Sequence, residues 1–235
     1  AHQSLFQIGM IWALAVTFGI YMTRHLSNAH FNPAVSVAMV LTGRMSAKRL
    51  PTYIAGQFIG SLLGALTVYG IYGSSIAQYE AKKNIVRGTF ESVTTAKMFG
   101  EYYNQPGGYT ISMPLAIAVE ALGTFLLVLI IFLFTEGVNV GRPNDNTAPI
   151  LIGLTVGSLL ALLASITQAG MNPTRDFAPR LVAWMFGWGS AAFPDSSGGF
   201  FWVYILAPLV GGILAGYFFT KILEPAMKKQ SELNK

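Results

Sequence analysis

Apolar residues gather in five long runs, at about 5–22, 50–72, 111–134, 147–167 and 200–222. Each is near the roughly 20 residues that a helix needs to cross a hydrocarbon layer, so the pattern predicts five spans. Two shorter amphipathic pieces, 33–41 and 173–186, lie between the runs and are too short to cross alone. Both open at Asn-Pro. Asn caps the free N–H groups of a first helical turn, and Pro at the first position gives up a donor that had no partner. A lone Asn-Pro is ordinarily a turn or a cap. Two of them beside membrane-length runs imply half-helices, whose non-helical approaches survive in a bilayer only against protein or a water-filled cavity. The stretch 73–112 is the longest polar segment, mixed in charge and dotted with Gly and Tyr, and predicts an external loop rather than a second domain.

The same order occurs twice. Ala29-His30-Phe31-Asn32-Pro33-Ala34 matches Ala169-Gly170-Met171-Asn172-Pro173-Thr174 at an offset of 140. Gly60 and Gly64 match Gly212 and Gly216 at an offset of 152, so twelve extra residues fall in the Gly-, Ser- and Trp-rich loop at 188–199. The expected organisation is one domain over 1–235: a first half-repeat at 1–72, the loop at 73–112 and a second half-repeat at 113–225. The second half carries an additional span at its start, and the expectation is that its counterpart is missing ahead of residue 1. Halves separated by an odd number of spans are inverted, and their half-helices meet end to end near the midplane. Gly56, Gly60 and Gly64, Gly153 and Gly157, and Gly212 and Gly216 recur at four-residue spacing, which predicts close helix packing in lipid.

Composition agrees with a membrane protein and removes several alternatives. The chain is 53% hydrophobic and 11% charged, with mean hydropathy +0.51, against roughly 25% charge in soluble domains. It has no cysteine, which excludes disulfides and cysteine-ligated metals. The net charge of +5 comes without an aromatic-interleaved basic stripe, so nucleic acid is not an expected partner. Arg24, Arg44, Lys48, Arg49, Lys221, Lys228 and Lys229 flank the apolar runs, as cytoplasmic-side charges do. No nucleophile–base pair or metal cluster stands out, so no enzyme, cofactor or metal is expected.

Two half-helices meeting by their N-termini aim both positive dipole ends at mid-membrane. Asn32 and Asn172 bring side-chain amides to that volume, and the carbonyls ahead of them line the approach. Such a constriction repels cations and protons but not small neutral hydrogen-bonding molecules.

These features resemble the major intrinsic protein family of aquaporins and glycerol facilitators. The paired Asn-Pro motifs (Asn32, Pro33, Ala34; Asn172, Pro173, Thr174), Arg175 after the second and Glu120 in the span that opens the second half carry the resemblance, which covers essentially the whole chain. The resemblance implies an all-α inverted-repeat bundle with two re-entrant half-helices and the first span absent. It further implies a homotetramer with one pore per subunit, in the lipid of the plasma membrane.

It also implies site residues. The filter positions fall on Trp12, Leu160, Ala169 and Arg175, and the pore-lining backbone on Ala29, His30, Phe31, Gly170 and Met171. Trp12 and Leu160 would give an apolar wall opposite the Arg175 donors, which suits a polyol. Glu120 is expected to brace the second half-helix loop, and Asp176 to pair with Arg180 one turn on. His30 is titratable near neutral pH, although wall packing is its expected role. Asp176, Arg180, the Pro208-Leu209 pair and the stretch 183–190 resemble the glycerol branch.

Departures from that branch are Thr174 for the usual Ala, Leu160 for Gly and Ala169 for an aromatic. The four filter residues together also resemble plant nodulin-26-like channels. The leading expectation is a passive channel for glycerol, small neutral solutes and water. The alternatives are a water-selective channel, a urea or metalloid-acid channel, or a coupled secondary transporter.

Overall fold

The computed structural model describes residues 4–193 and 198–233 and contains helices and no strand among them. Five helices are long and apolar enough to cross a membrane: α1 (Leu5–Ser27), α3 (Leu50–Lys83), α5 (Met113–Thr135), α6 (Ala148–Thr167) and a long final helix, α8 (Gly199–Leu233). The short helices are α2 (Pro33–Leu41), α4 (Val93–Ala96) and α7 (Pro173–Ala183). Five spans and two short Asn-Pro helices are therefore present. Part of the loop that carries the twelve extra residues, 194–197, lies outside the described residues.

Local chemistry sets the ends. Asn28 and Gln168 close α1 and α6 in the left-handed conformation, which ends a helix by turning its last carbonyls onto the next N–H groups. Pro179 sits inside α7, and the helix breaks soon after in a turn over Trp184–Trp188, where Gly187 takes φ 100°. α3 continues to Lys83, past the expected boundary at 72, so the connecting loop begins only at Asn84.

α1 packs along α6, α5 along α8, α3 along α7, and α2 rests on α8 and α3. The glycines of the second half explain how closely. A Cβ on Gly157 would lie 2.5 Å from the Gly9 carbonyl oxygen, and one on Gly212 would lie 2.9 Å from that of Ala34. Gly56, Gly60 and Gly64 do not follow. A Cβ at any of them meets nothing within 4 Å, so no described helix packs on that stripe. The expectation of close packing holds for one half of the repeat only.

The loop after α3 is not a solvated excursion. Val93, Ala96, Phe99 and Tyr102 bury themselves with Val182, Ala183 and Trp188, so the loop has a small core of its own clamped onto the end of α7.

Candidate functional site

The two short helices meet by their N-terminal ends. Asn32 and Asn172 are both extended, at φ −148° and −150°, and each accepts from its own first turn. Asn32 Oδ1 takes the Ala34 N–H at 2.8 Å. Asn172 Oδ1 takes the Thr174 hydroxyl at 3.1 Å and the Arg175 N–H at a longer 3.4 Å. Thr174 therefore competes for the cap. Each amide nitrogen then reaches across the junction: Asn32 Nδ2 donates to the Met171 carbonyl at 2.7 Å, and Asn172 Nδ2 to the Phe31 carbonyl at 2.9 Å. One amide hydrogen of each side chain is committed this way, which leaves the second.

The approaches to the two caps share an unusual backbone. Asn28, Ala29 and Phe31 have positive φ, and so do Gln168, Ala169 and Met171, 140 residues later. Side chains other than Gly rarely adopt that region, so it persists only where surroundings enforce it. For the second approach the enforcement is visible. Glu120, 1% exposed, accepts the Gly170 N–H at 2.8 Å on one oxygen and the Met171 N–H at 2.6 Å on the other. The Ala169 N–H donates to the Thr167 hydroxyl at 3.2 Å, and the Tyr204 hydroxyl donates to the Thr167 carbonyl at 2.9 Å.

A narrow cavity of about 100 Å³ runs past this junction. Trp12, Leu160, Ala169 and Arg175 line it together with both Asn residues and residues 29–31, 170 and 171. The Arg175 guanidinium lies over the Trp12 ring, 4.8 Å from its centre, where the charge gains from the ring face. Most other lining is aliphatic. Beyond His30 the space opens into a second cavity of about 450 Å³, whose rim includes Arg24, His25, Arg44, Glu136 and Asp145. Trp12, Leu160, Ala169 and Arg175 thus line one cavity, with a wider, charged cavity beyond.

Asp176 and Arg180 form a fully buried ion pair at 2.7 Å. Arg180 also donates to the carbonyls of Ala192, at 2.7 Å, and of Glu101. His30 Nδ1 lies 3.1 Å from the Ser36 hydroxyl. Sequence reasoning missed Glu101, Tyr204 and the side chain of Gln168, whose backbone it had placed along the approach. Glu101 forms an ion pair with Arg175 itself. The signal for it was its setting, between Phe99-Gly100 and Tyr102-Tyr103 inside an otherwise polar segment.

The model of the Major intrinsic protein family matches residues 1–219. The chain belongs to this family. It is 36% identical over 218 residues to the glycerol uptake facilitator protein of Pseudomonas aeruginosa, covering 91% of this chain and 75% of that one. It is 35% identical over 217 residues to human aquaporin-9, covering 92% of this chain and 70% of that one. Among solved structures it is similar to the aquaglyceroporin from Plasmodium falciparum, with TM-score 0.83 and 25% identity over 97% of this chain and 87% of that one. As a major intrinsic protein the chain has the all-α fold that its paired Asn-Pro motifs implied, and it is a channel rather than an enzyme.

Proposed function

We propose that the protein is a passive transmembrane channel for glycerol and other small neutral solutes, and for water, that excludes ions and protons. The observation that carries this reading is the asymmetric constriction. Trp12 and Leu160 give apolar surface, and the Arg175 guanidinium, stacked on the Trp12 ring, gives donors beside it, at a cavity where both half-helix N-termini end. A polyol presents carbons to the first and hydroxyls to the second, while the helix ends and the guanidinium disfavour a cation. In this reading Glu120 holds the second approach in its left-handed backbone, and the Asp176–Arg180 pair ties α7 to the loop at Glu101. Small Ala169 leaves room beyond a single file of water. The relatives named for glycerol uptake support the same solute class. The same reading places a homotetramer in the plasma membrane with its flanking basic residues cytoplasmic.

Swelling of protein-loaded vesicles in glycerol, with and without an ion gradient, tests it. Swelling indifferent to the gradient is expected, and gradient-dependent uptake would instead mean a coupled transporter. Introducing Ala169→Phe with Leu160→His narrows and polarises the filter. Glycerol permeability should then fall much more than water permeability in paired stopped-flow measurements. Equal falls, or a wild type that conducts water alone, would sink the assignment of these positions.

A further inference from the structure

Glu101 lies in the loop between α3 and α5, 2% exposed, with its carboxylate against Nη1 of Arg175. Its backbone is held at both ends. The Glu101 N–H donates to Asp176 Oδ1 at 2.7 Å, and Arg180 donates to its carbonyl oxygen. One residue on, the Tyr102 N–H donates to Gln168 Oε1 at 2.8 Å, tying the loop to the approach backbone of the second half-helix. Gly100 makes the approach possible, since a Cβ there would lie 2.6 Å from Arg180 Cγ. The Arg175 guanidinium is therefore trapped between the Trp12 ring and the Glu101 carboxylate.

We infer that Glu101 is a positioning residue for the constriction: its carboxylate pins the Arg175 guanidinium to the wall and offsets its charge, so that neutral solutes pass without being held. The inference rests on the reading of Arg175 as a filter residue. A bare guanidinium in a dry wall binds every passing oxygen through an uncompensated charge. Conduction needs binding weak enough to release the solute. Pairing with Glu101 provides that weakening while leaving donors on the other nitrogens.

The charged and titratable groups that face Glu101 are Arg175, Asp176 and Arg180 from α7, Glu120 from α5 and Tyr102 beside it. Asp176 and Arg180 are paired with each other, so Arg175 is the charge that answers Glu101. Burial pushes the Glu101 carboxyl up to about 8, against the pull of Arg175. A carboxyl raised in this way is ionised above that value and protonated below it. The offset of the Arg175 charge is then complete at alkaline pH and is lost as pH falls, and solute flux falls with it.

The test uses the full chain in vesicles, with empty vesicles as control. Glycerol permeability is followed by stopped-flow light scattering from about pH 6.5 to about pH 9.5, a range that spans the titration. Wild type, Glu101→Gln and Glu101→Asp are compared. Wild-type permeability should rise with pH by about threefold, a change of about 0.65 kcal/mol in barrier. Glu101→Gln should stay at the low-pH level throughout, and Glu101→Asp should keep a rising profile. A Glu101→Gln protein with the wild-type profile overturns the inference, and so does a wild type that is flat. If Glu101→Gln fails to assemble, Glu101→Asp decides: a profile whose midpoint moves from that of wild type supports the inference and an unchanged profile overturns it. Absence of any glycerol swelling in wild type would count against the channel reading instead, which keeps the two failures distinguishable.

Discussion

At an offset of 140 residues, Asn32 and Pro33 match Asn172 and Pro173, yet Val35 stands where the second half has Arg175, Ser36 where it has Asp176, and Val40 where it has Arg180. The approaches differ in the same sense. Residues 169–171 are all buried, whereas 29 and 30 are half-buried and Phe31 is 39% exposed. Glu120 braces the N–H groups of 170 and 171. No carboxylate among the described residues is hydrogen-bonded to those of 29–31. In the first half His30 reaches the Ser36 hydroxyl instead, Gln57 donates to that hydroxyl at 3.0 Å, and Gln57 Oε1 is buried with no partner among the described residues.

The two halves thus reach one left-handed backbone by different means. The second half uses ionic groups, which hold geometry firmly but need every partner present. The first half uses neutral hydrogen bonds and packing. His30 and Gly170 are the corresponding residues, and the difference follows from space: a Cβ on Gly170 would lie 2.8 Å from the Tyr204 ring. Beside the junction of the two caps the charged side chain is Arg175, in the ionic half, so rigidity and charge lie together there.

The contrast is sharpest if its strongest member is broken. Asp176→Asn leaves Arg180 buried without its counter-charge, which should cost about 3–5 kcal/mol. Detergent-solubilised protein should show a large drop in Tm, or fail to assemble. An unchanged Tm would mean that the ion pair is not what holds α7.

Next in size is Glu120→Gln, which has one acceptor oxygen where two N–H groups need one each. Leaving a buried N–H unpaired should cost about 1–3 kcal/mol. Thermal unfolding followed by tryptophan fluorescence checks it, and glycerol permeability should fall as the 169–171 backbone loosens.

Ser36→Ala removes the corresponding neutral contact in the first half, and about 1 kcal/mol is expected, with glycerol flux largely kept. A loss as large as that of Asp176→Asn would end the division between an ionic and a neutral half. Smallest is Thr174→Ala, which makes the second cap like that at Ala34. Asn172 Oδ1 is then free for the Arg175 N–H, the change in stability should stay under about 1 kcal/mol, and a crystal structure of the variant should show that bond shortened from 3.4 Å.

Much of this site was legible before any coordinates, for particular reasons. Asn-Pro is a local capping signal, and it placed the starts of α2 and α7 at Pro33 and Pro173, where the structure has them. Span lengths follow from bilayer thickness, so the apolar runs came close to the observed helices. The end of α3 was misjudged at 72 because residues 73–83 are polar enough to read as loop, and the partners that bury them come from the loop that follows. Glu80 is the example: it is buried and bonded to Arg87 at 2.8 Å and to Thr95 at 2.7 Å.

The sequence by itself determined the all-α membrane architecture, the internal repeat and the meeting of two capped half-helices, because each depends on local propensity or on periodicity along the chain. Only the tertiary structure decided which glycines pack and which stand open, that Thr174 shares the cap of Asn172, and that Glu101 answers Arg175. Those depend on groups brought together across 74 or more residues in some cases and across helix faces in others. A carboxylate in a polar loop looks like any solvated charge until the fold removes the water around it.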